Sequence, residues 1–442
     1  MKLSFSRYRH MRRIQPGALF LALILALVYV QSSSAQAETE TTYFDITASE
    51  VRKIIVAVPG FTGSAAAQGN AGVTAAKLVT DGFQLYSFLN IIDYGSYGGR
   101  KDADWRAMGA DYVVMGEVNH DAAGLAVGGQ ILEVATNRTL PGRVYRGASN
   151  QLEDMALKLC DALVEDFTGE PGVARTKMAY VSDSTGRKEV YVSDVLGRHP
   201  RQITKHRALT VSPRFAPDGN TLAYTSYHRG NQDLYITDLR QSAQTTSISR
   251  RPGLNLAPAF TPDGNMIVTL SVDGNPDLYL IDRRGRILSR LTERAGINVS
   301  PSISPDGRSI VFSSDRSRGG HPKVYLMDLG SRQVRLLQNT VGECSEPSWS
   351  PKGDEIAFTG LVGGSYQVFV SDRNGGNVRQ VSSGGGDFES PTWAPDGRLI
   401  AATRKSGGRS QICVLSKNGK DVRVLLNMRG NLSFPQWSPR LP

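Results

Sequence analysis

Side chains able to do covalent or metal chemistry are sparse in this sequence, and their spacing serves neither. Cysteine occurs three times, at Cys160, Cys344 and Cys413, with no Cys-x-x-Cys pair and no nearby histidine from which to build a zinc site. Cys160 sits in an apolar helical stretch and Cys413 in an apolar strand, where a free thiol is a small buried hydrophobe; no disulfide is expected. His120, His199, His206, His228 and His321 are scattered through expected turns, without a carboxylate or cysteine at ligand spacing. A serine hydrolase needs a strained Gly-x-Ser-x-Gly elbow, which is absent. The flexible Tyr94-Gly95-Ser96-Tyr97-Gly98-Gly99 lacks the lysine and following helix of a phosphate loop. One carboxylate does recur, in Pro-Asp-Gly at Asp218, Asp263, Asp306 and Asp396, but Lys352 takes its place in a further copy. A shared ring of ligands would not tolerate that lysine. A tight turn does, since Pro fixes φ, Asp bonds local backbone and Gly takes the left-handed conformation. No catalytic residue, metal or cofactor is expected.

The Pro-Asp-Gly turn belongs to a longer phrase. It reads Ser212-Pro213-Arg214-Phe215-Ala216-Pro217-Asp218-Gly219 and recurs from Ala257, Ser300, Glu346 and Ser390, with a sixth, partial copy at Phe434-Pro435-Gln436-Trp437-Ser438-Pro439. Successive spacings are 45, 43, 46, 44 and 44 residues. After each complete copy an apolar start, at Leu222, Ile267, Ile310, Ile356 or Ile400, opens a short strand rich in β-branched and aromatic residues. A further strand follows, as in Leu234-Tyr235-Ile236 or Val324-Tyr325-Leu326, and a last one is expected to include Ile203-Thr204, Leu291-Thr292 or Val381-Ser382. Four strands in each repeat of this length is the arithmetic of a β-propeller blade. Phe215, Phe260, Ile303, Trp349, Trp393 and Trp437 share one slot of the phrase and read as packing between blades.

The unmatched ends complete the count. Met178-Ala179-Tyr180-Val181 and Val190-Tyr191-Val192 supply later strands of a blade without the Pro phrase, and the C-terminus supplies that phrase alone. Six blades follow, the first one completed by the last strand of the chain, which removes the open edges of a linear array.

Ahead of the repeat, a basic start and an apolar run at 18–30 lead to Ala35-Gln36-Ala37. Thirteen apolar residues are too few to cross a bilayer, which takes about 20, but suit a secretory leader cleaved after Ala37. Lys2, Arg7, Arg9, Arg12 and Arg13 carry half of the formal charge of +10, leaving 46 basic against 41 acidic residues in the rest. The composition, 40% apolar and 21% charged, excludes wholesale disorder and a multi-span membrane protein. Basic clusters at 198–207 and 283–294 fall on expected outer strands or loops and read as solvated charge; nucleic acid is not an expected partner.

Residues 38–170 show no repeat and read as mixed α/β. Ile54-Ile55-Val56-Ala57-Val58 and Tyr112-Val113-Val114-Met115 are buried strands, with others expected at 125–134 and 143–146. Asp102 or Asp104 is placed to cap a short helix bearing Trp105 and Met108. Asn150 with Glu153 resembles a capping box, opening a helix with its stripe at Leu152, Met155, Leu159, Leu163 and Phe167. Thr168-Gly169-Glu170-Pro171-Gly172 ends that helix. The expected organisation is a leader at 1–37, an α/β domain with a mobile start at 38–170 and a six-bladed propeller at 171–442, closed by the C-terminal strand.

On these residues the chain resembles the TolB family, periplasmic components of the Tol-Pal cell-envelope system. The resemblance rests on Ile55-Val56-Ala57-Val58-Pro59-Gly60-Phe61, on Trp105-Arg106-Ala107-Met108-Gly109-Ala110-Asp111-Tyr112, and on Phe167-Thr168-Gly169-Glu170-Pro171-Gly172-Val173 running into the sixfold phrase. It departs at 81–88, where the family usually carries Ser-Gly-x-Phe. It implies a non-enzymatic adaptor, peripheral to membranes and supporting outer-membrane integrity and constriction at division. Such an adaptor binds the outer-membrane lipoprotein Pal through the propeller mouth and TolA through a flexible mature N-terminus. On this sequence the TolA-facing segment would be Glu38, Thr39, Glu40, Thr41 and Thr42. The alternative is a propeller that binds or cleaves a cell-wall glycan or peptide.

Blade geometry places the loop before each first Pro at one mouth of the channel. These loops differ from copy to copy while the strands repeat, as expected where strands serve the fold and loops serve binding. The partner-binding set is therefore expected among Leu254, Asn255, Ala257, Asn298, Val299, Ser300, Glu343, Ser345, Glu346, Asp387, Glu389 and Asn431, with the resemblance favouring the first six.

Overall fold

The structure, a computed structural model, describes residues 52–65, 70–121, 124–240, 244–317, 319–337, 341–419 and 421–441. The leader and the segment from Glu38 to Thr42 lie outside the described residues. Strand β1 (Ile54–Ala57) is flanked in parallel by β2 (Leu89–Ile91) and β3 (Tyr112–Asp121). A parallel neighbour requires a crossover, supplied between β1 and β2 by α1 (Ala71–Phe83). After the single turn α2 (Tyr94–Tyr97), β3 pairs antiparallel with β4 (Gly124–Glu133), which also pairs β5 (Arg138–Thr139) and β6 (Arg143–Gly147). Helix α3 (Leu152–Thr168) then packs on α1, burying Met155, Leu159, Leu163 and Phe167 with Val79 and Phe83. The helices approach closely at Gly82, where a Cβ would lie 2.5 Å from Cys160 Sγ. Gly169, at φ 73°, closes α3 in the left-handed region.

Three local expectations need correction. The capping box does not form at Asn150 and Glu153: a 3₁₀ turn, Ser149–Gln151, precedes α3, and Gln151 Oε1 accepts from the Ala148 amide at 2.8 Å. Glu153 instead meets His199 Nε2 at 2.8 Å. Asp104 does accept from the Ala107 amide at 3.0 Å, but the segment bearing Trp105 is a turn, not a helix. The last strands of three blades also end earlier than expected, at Arg201–Gln202, Ile287–Arg290 and Arg379–Gln380. Just beyond, the hydroxyls of Thr204, Thr292 and Ser382 accept the amides of Val190, Leu278 and Val368 and donate to Glu189, Asp277 and Gln367. The amides of Ile203, Leu291 and Val381 still bond the carbonyls of Val190, Leu278 and Val368, so a side chain replaces only half of the next backbone rung, and hydrophobicity alone cannot distinguish the two.

Six four-stranded antiparallel sheets form the propeller. Counting from the first in the chain, the innermost strands of blades 2–6 are Thr210–Phe215, Asn255–Phe260, Asn298–Ile303, Cys344–Trp349 and Asp387–Trp393. Blade 1 takes Leu432–Trp437 as its innermost strand, paired antiparallel with Lys177–Ser182. The register of each innermost strand shifts at the residue before Pro and Pro itself. A bulge there tolerates the missing Pro amide. The Pro-Asp-Gly corners are turns, with glycine φ of 65° to 83° including Gly353 beside Lys352. Cys160, Cys344 and Cys413 are all buried. The basic clusters are held by local partners: Arg198 by Asp194, Arg286 by Asp282, and Arg290 by Asp277. No helix among the described residues is long and apolar enough to cross a membrane.

The α/β region and the propeller share one core, in which Phe83 and Tyr86 join Ala394, Leu399 and Trp437. Polar straps cross the same junction: Arg398 Nη2 donates to Thr168 O at 2.9 Å, Arg440 Nη2 to Pro171 O at 2.7 Å and Arg423 Nη1 to Gln84 O at 2.8 Å. Asp161 on α3 accepts the amides of Ala174 at 2.6 Å and Arg175 at 3.2 Å. Burial raises its carboxyl from an ordinary 3.8 to about 6 against those bonds. Because the folded chain holds this proton longer than the unfolded chain, Asp161 stabilises less as pH rises from about 4 to about 6. Relative to Asp161→Asn, the parent should gain about 1 kcal/mol between pH 7 and pH 5. Comparing the two cancels the opposing slope of His206 and His228, whose basicity burial lowers. Denaturant melts at the two pH values check this; parallel curves for parent and variant would contradict it.

Candidate partner-binding mouth of the propeller

Each innermost strand starts at the same end of the channel at which the second strand finishes, as the pairs Thr210↔Ser226, Asn255↔Leu270 and Asn298↔Ser314 show. The mouth is therefore built from two loops per blade. The entering loop and the following hairpin are tied by Tyr227 N to Leu209 O, Ser271 N to Leu254 O and Leu361 N to Glu343 O at 2.9–3.2 Å. The residue before Pro holds a positive φ in five copies: Ser212 54°, Ser300 53°, Glu346 51°, Ser390 54° and Phe434 51°. Such strain in non-glycine residues collects at clamps and binding sites, and here these residues ring a channel of about 500 Å³.

The structure divides the expected site residues into two groups. Ser300 and Glu346 line the channel, while Leu254, Val299, Glu343, Ser345, Asp387, Glu389 and Asn431 are partly exposed around its end. Ala257 lies on the strand Asn255–Phe260. Several members already have partners: Glu343 meets His321 Nδ1 at 2.8 Å, Glu389 pairs with Lys405, and Asp387 accepts the Tyr366 amide at 2.9 Å. The Asp183 carboxylate accepts twice from Asn431, from its amide at 2.7 Å and from Nδ2 at 3.0 Å. These bonds hold the Asp183 carboxyl below its ordinary range.

Asn255 and Asn298 are fully buried and act on the surface through the loops they hold. Asn255 Nδ2 donates to Arg251 O at 2.7 Å and Gly253 O at 3.1 Å. Asn298 Nδ2 donates to Asp277 Oδ1 and Gly296 O, both at 2.9 Å, and its Oδ1 accepts from Arg316 Nη2 at 2.6 Å. Asn298→Leu keeps the branched shape but takes the acceptor from Arg316 Nη2 and one donor each from Asp277 Oδ1 and Gly296 O, which retain Thr292 and Asn275; a lost bond to a charged group costs about 1.5–3 kcal/mol. It should lower stability by about 2–4 kcal/mol; an unchanged urea midpoint would count against this role.

Sequence reasoning missed two features. Leu209, Val272, Ile297 and Val362 are large apolar side chains exposed at 36–48%, all on loops or strand ends at this mouth. Leu209 falls within the loop expected at the mouth before Pro213; that Val272, Ile297 and Val362 join it there needed the blade register. His206 and His228, separate in sequence, lie 4.2 Å apart between ring centroids with the rings tilted by 39°, and His206 Nδ1 lies 2.7 Å from Ser226 Oγ. Among the described residues, no group of three or more His, Cys, Asp or Glu is arranged to hold a metal ion.

The family model for the TolB beta propeller domain matches residues 164–441, from the end of α3 to the closing strand. The chain belongs to the TolB propeller family. It is 42% identical over 284 residues to the Tol-Pal system protein TolB of Desulfotalea psychrophila, an alignment covering 62% of this chain and 64% of that one. The corresponding protein of Desulfosudis oleivorans is 33% identical over 284 residues, 61% of this chain and 64% of that one. The chain thus spans just under two thirds of the length of these relatives. The crystal structure of TolB from Acinetobacter baumannii superposes with a TM-score of 0.77 at 26% identity, covering 88% of this chain and 98% of that one. This likeness extends beyond the propeller into the α/β region in front of it.

Proposed function

We propose that this TolB-family chain is a non-enzymatic periplasmic adaptor of the Tol-Pal system. It captures the outer-membrane lipoprotein Pal on the propeller mouth and TolA through the segment Glu38, Thr39, Glu40, Thr41 and Thr42, supporting outer-membrane integrity and cell division. The observation that carries the Pal half of this reading is the mouth itself. Six non-repeating loops surround one channel end, with exposed Leu209 and Ile297 and partly exposed Leu254 and Val299 beside polar groups. Exposed apolar side chains interspersed with hydrogen-bonding groups suit a folded protein partner. The TolA half rests on the family resemblance. Family membership supports both, since the relatives at 42% and 33% identity are named as Tol-Pal system proteins.

Capture from envelope extracts with the immobilised mature chain tests the reading. Recovery of a lipoprotein with an OmpA-like domain, together with TolA that is lost when residues 38–42 are removed, is the expected result. Turnover of a glycan or peptide library without capture of either protein would overturn it.

A further inference from the structure

The channel contains a charge that the fold leaves unused. Arg214 follows the first Pro of its repeat, and the equivalent residues in the other blades are the neutral Ala259, Ser302, Ser348, Thr392 and Gln436. Its side chain lines the channel. Among the described residues, its guanidinium donates one hydrogen bond, from Nη1 to the adjoining Pro213 carbonyl at 2.9 Å. The one opposite charge that acts on it is Glu346, three blades away across the ring. Glu346 is itself satisfied locally: Oε2 accepts from Thr359 Oγ1 at 3.0 Å and the Ser390 amide at 2.7 Å, and Oε1 from Ser390 Oγ at 3.0 Å. Desolvation pulls the Arg214 pKa below its ordinary value, and the attraction of Glu346 offsets this only in part.

The channel wall offers further donors. Ser302 Oγ accepts the Trp349 amide at 3.0 Å and Thr392 Oγ1 the Trp437 amide at 3.4 Å, which fixes each oxygen and leaves its proton to be donated. A guanidinium fork with free donors matches the two oxygens of a planar carboxylate. A multiply charged phosphate suits the channel less well, because Glu346 repels the extra charge.

We propose that the central channel is a carboxylate-binding site anchored by Arg214. The carboxylate comes either from a small acid in solution or from an acidic side chain or chain terminus of a protein seated on the mouth. Calorimetric titration of the mature chain with sodium glutarate, at constant ionic strength against chloride, is the test. Saturable binding of one glutarate per chain is expected. Arg214→Gln should weaken it by at least about tenfold, and Arg214→Lys, which keeps the charge but loses the fork, by a similar factor. Thermal melts establish that each variant is folded. Absence of saturable binding by the parent, or equal binding by folded Arg214→Lys, overturns the site.

Competition between glutarate and a Pal-type lipoprotein separates the two sources. Displacement, with weaker capture by Arg214→Gln, assigns the carboxylate to the partner; glutarate binding with capture unchanged assigns it to a free acid. Only this arm rests on the adaptor reading. Failure of the parent to capture the lipoprotein would count against that reading, while the glutarate titration would still decide the site.

Discussion

Deleting residues 431–442 should lower the melting temperature by at least about 10 °C and make the protein prone to associate. The segment Leu432–Trp437 is the innermost strand of blade 1, paired at Leu432↔Ser182 and Trp437↔Met178. Trp437 is buried, and its Nε1 donates to Thr176 Oγ1 at 2.6 Å. Ser438 adds two bonds to Lys177, one through each residue's amide, both at 2.9 Å. Removing one large aromatic from a core costs about 3–5 kcal/mol, worth about 2–4 °C per kcal/mol in a domain of ordinary size. The deletion also exposes Lys177–Ser182 as an open strand edge, a template for pairing between chains. Trp437→Ala should reproduce most of the thermal loss without the association, since the strand remains. A truncated protein that melts with the parent would mean that the ring does not depend on this closure.

The propeller was legible because its determinants are local and repeated. Pro and Gly mark the same corners in each unit, and the spacing counts the blades. The unmatched ends at Met178 and Trp437 revealed the closure for the same reason. The α/β region was readable only as elements: β1 and α3 announce themselves through apolar patterning, whereas the approach of α1 to Cys160 depends on Gly82. At the mouth, the loops could be located but not sorted. Asn255 and Asn298 read as surface polar residues, and their burial follows from partners distant in sequence, such as Asp277, 21 residues from Asn298. Arg214 stood in plain view within the repeat, yet its lack of a hydrogen-bonded carboxylate among the described residues emerges only when the ring closes and Glu346 turns to Ser390. The His206–His228 contact was hidden in the same way, because only the register of blade 2 brings the two turns together.

Ala257→Arg and Ser300→Arg should each abolish partner capture while leaving the propeller folded. Ser300 lines the channel at φ 53°, and Ala257 holds the equivalent place in the repeat of the preceding blade. A long cation at the edge of a complementary surface blocks close approach and must be desolvated on docking, which can cost as much as losing a hot-spot contact. Neither change touches the interblade slot of Phe260 and Ile303, so the melting temperature should stay within about 3 °C, in line with substitutions outside the core. The deciding measurement is a calorimetric titration of the soluble OmpA-like domain of a Pal-type lipoprotein into the parent and the two variants. Saturable one-to-one binding by the parent, weakened by roughly 100-fold or more in both folded variants, is the expected result; unchanged affinity in both variants, or no binding by the parent, would contradict capture at this mouth.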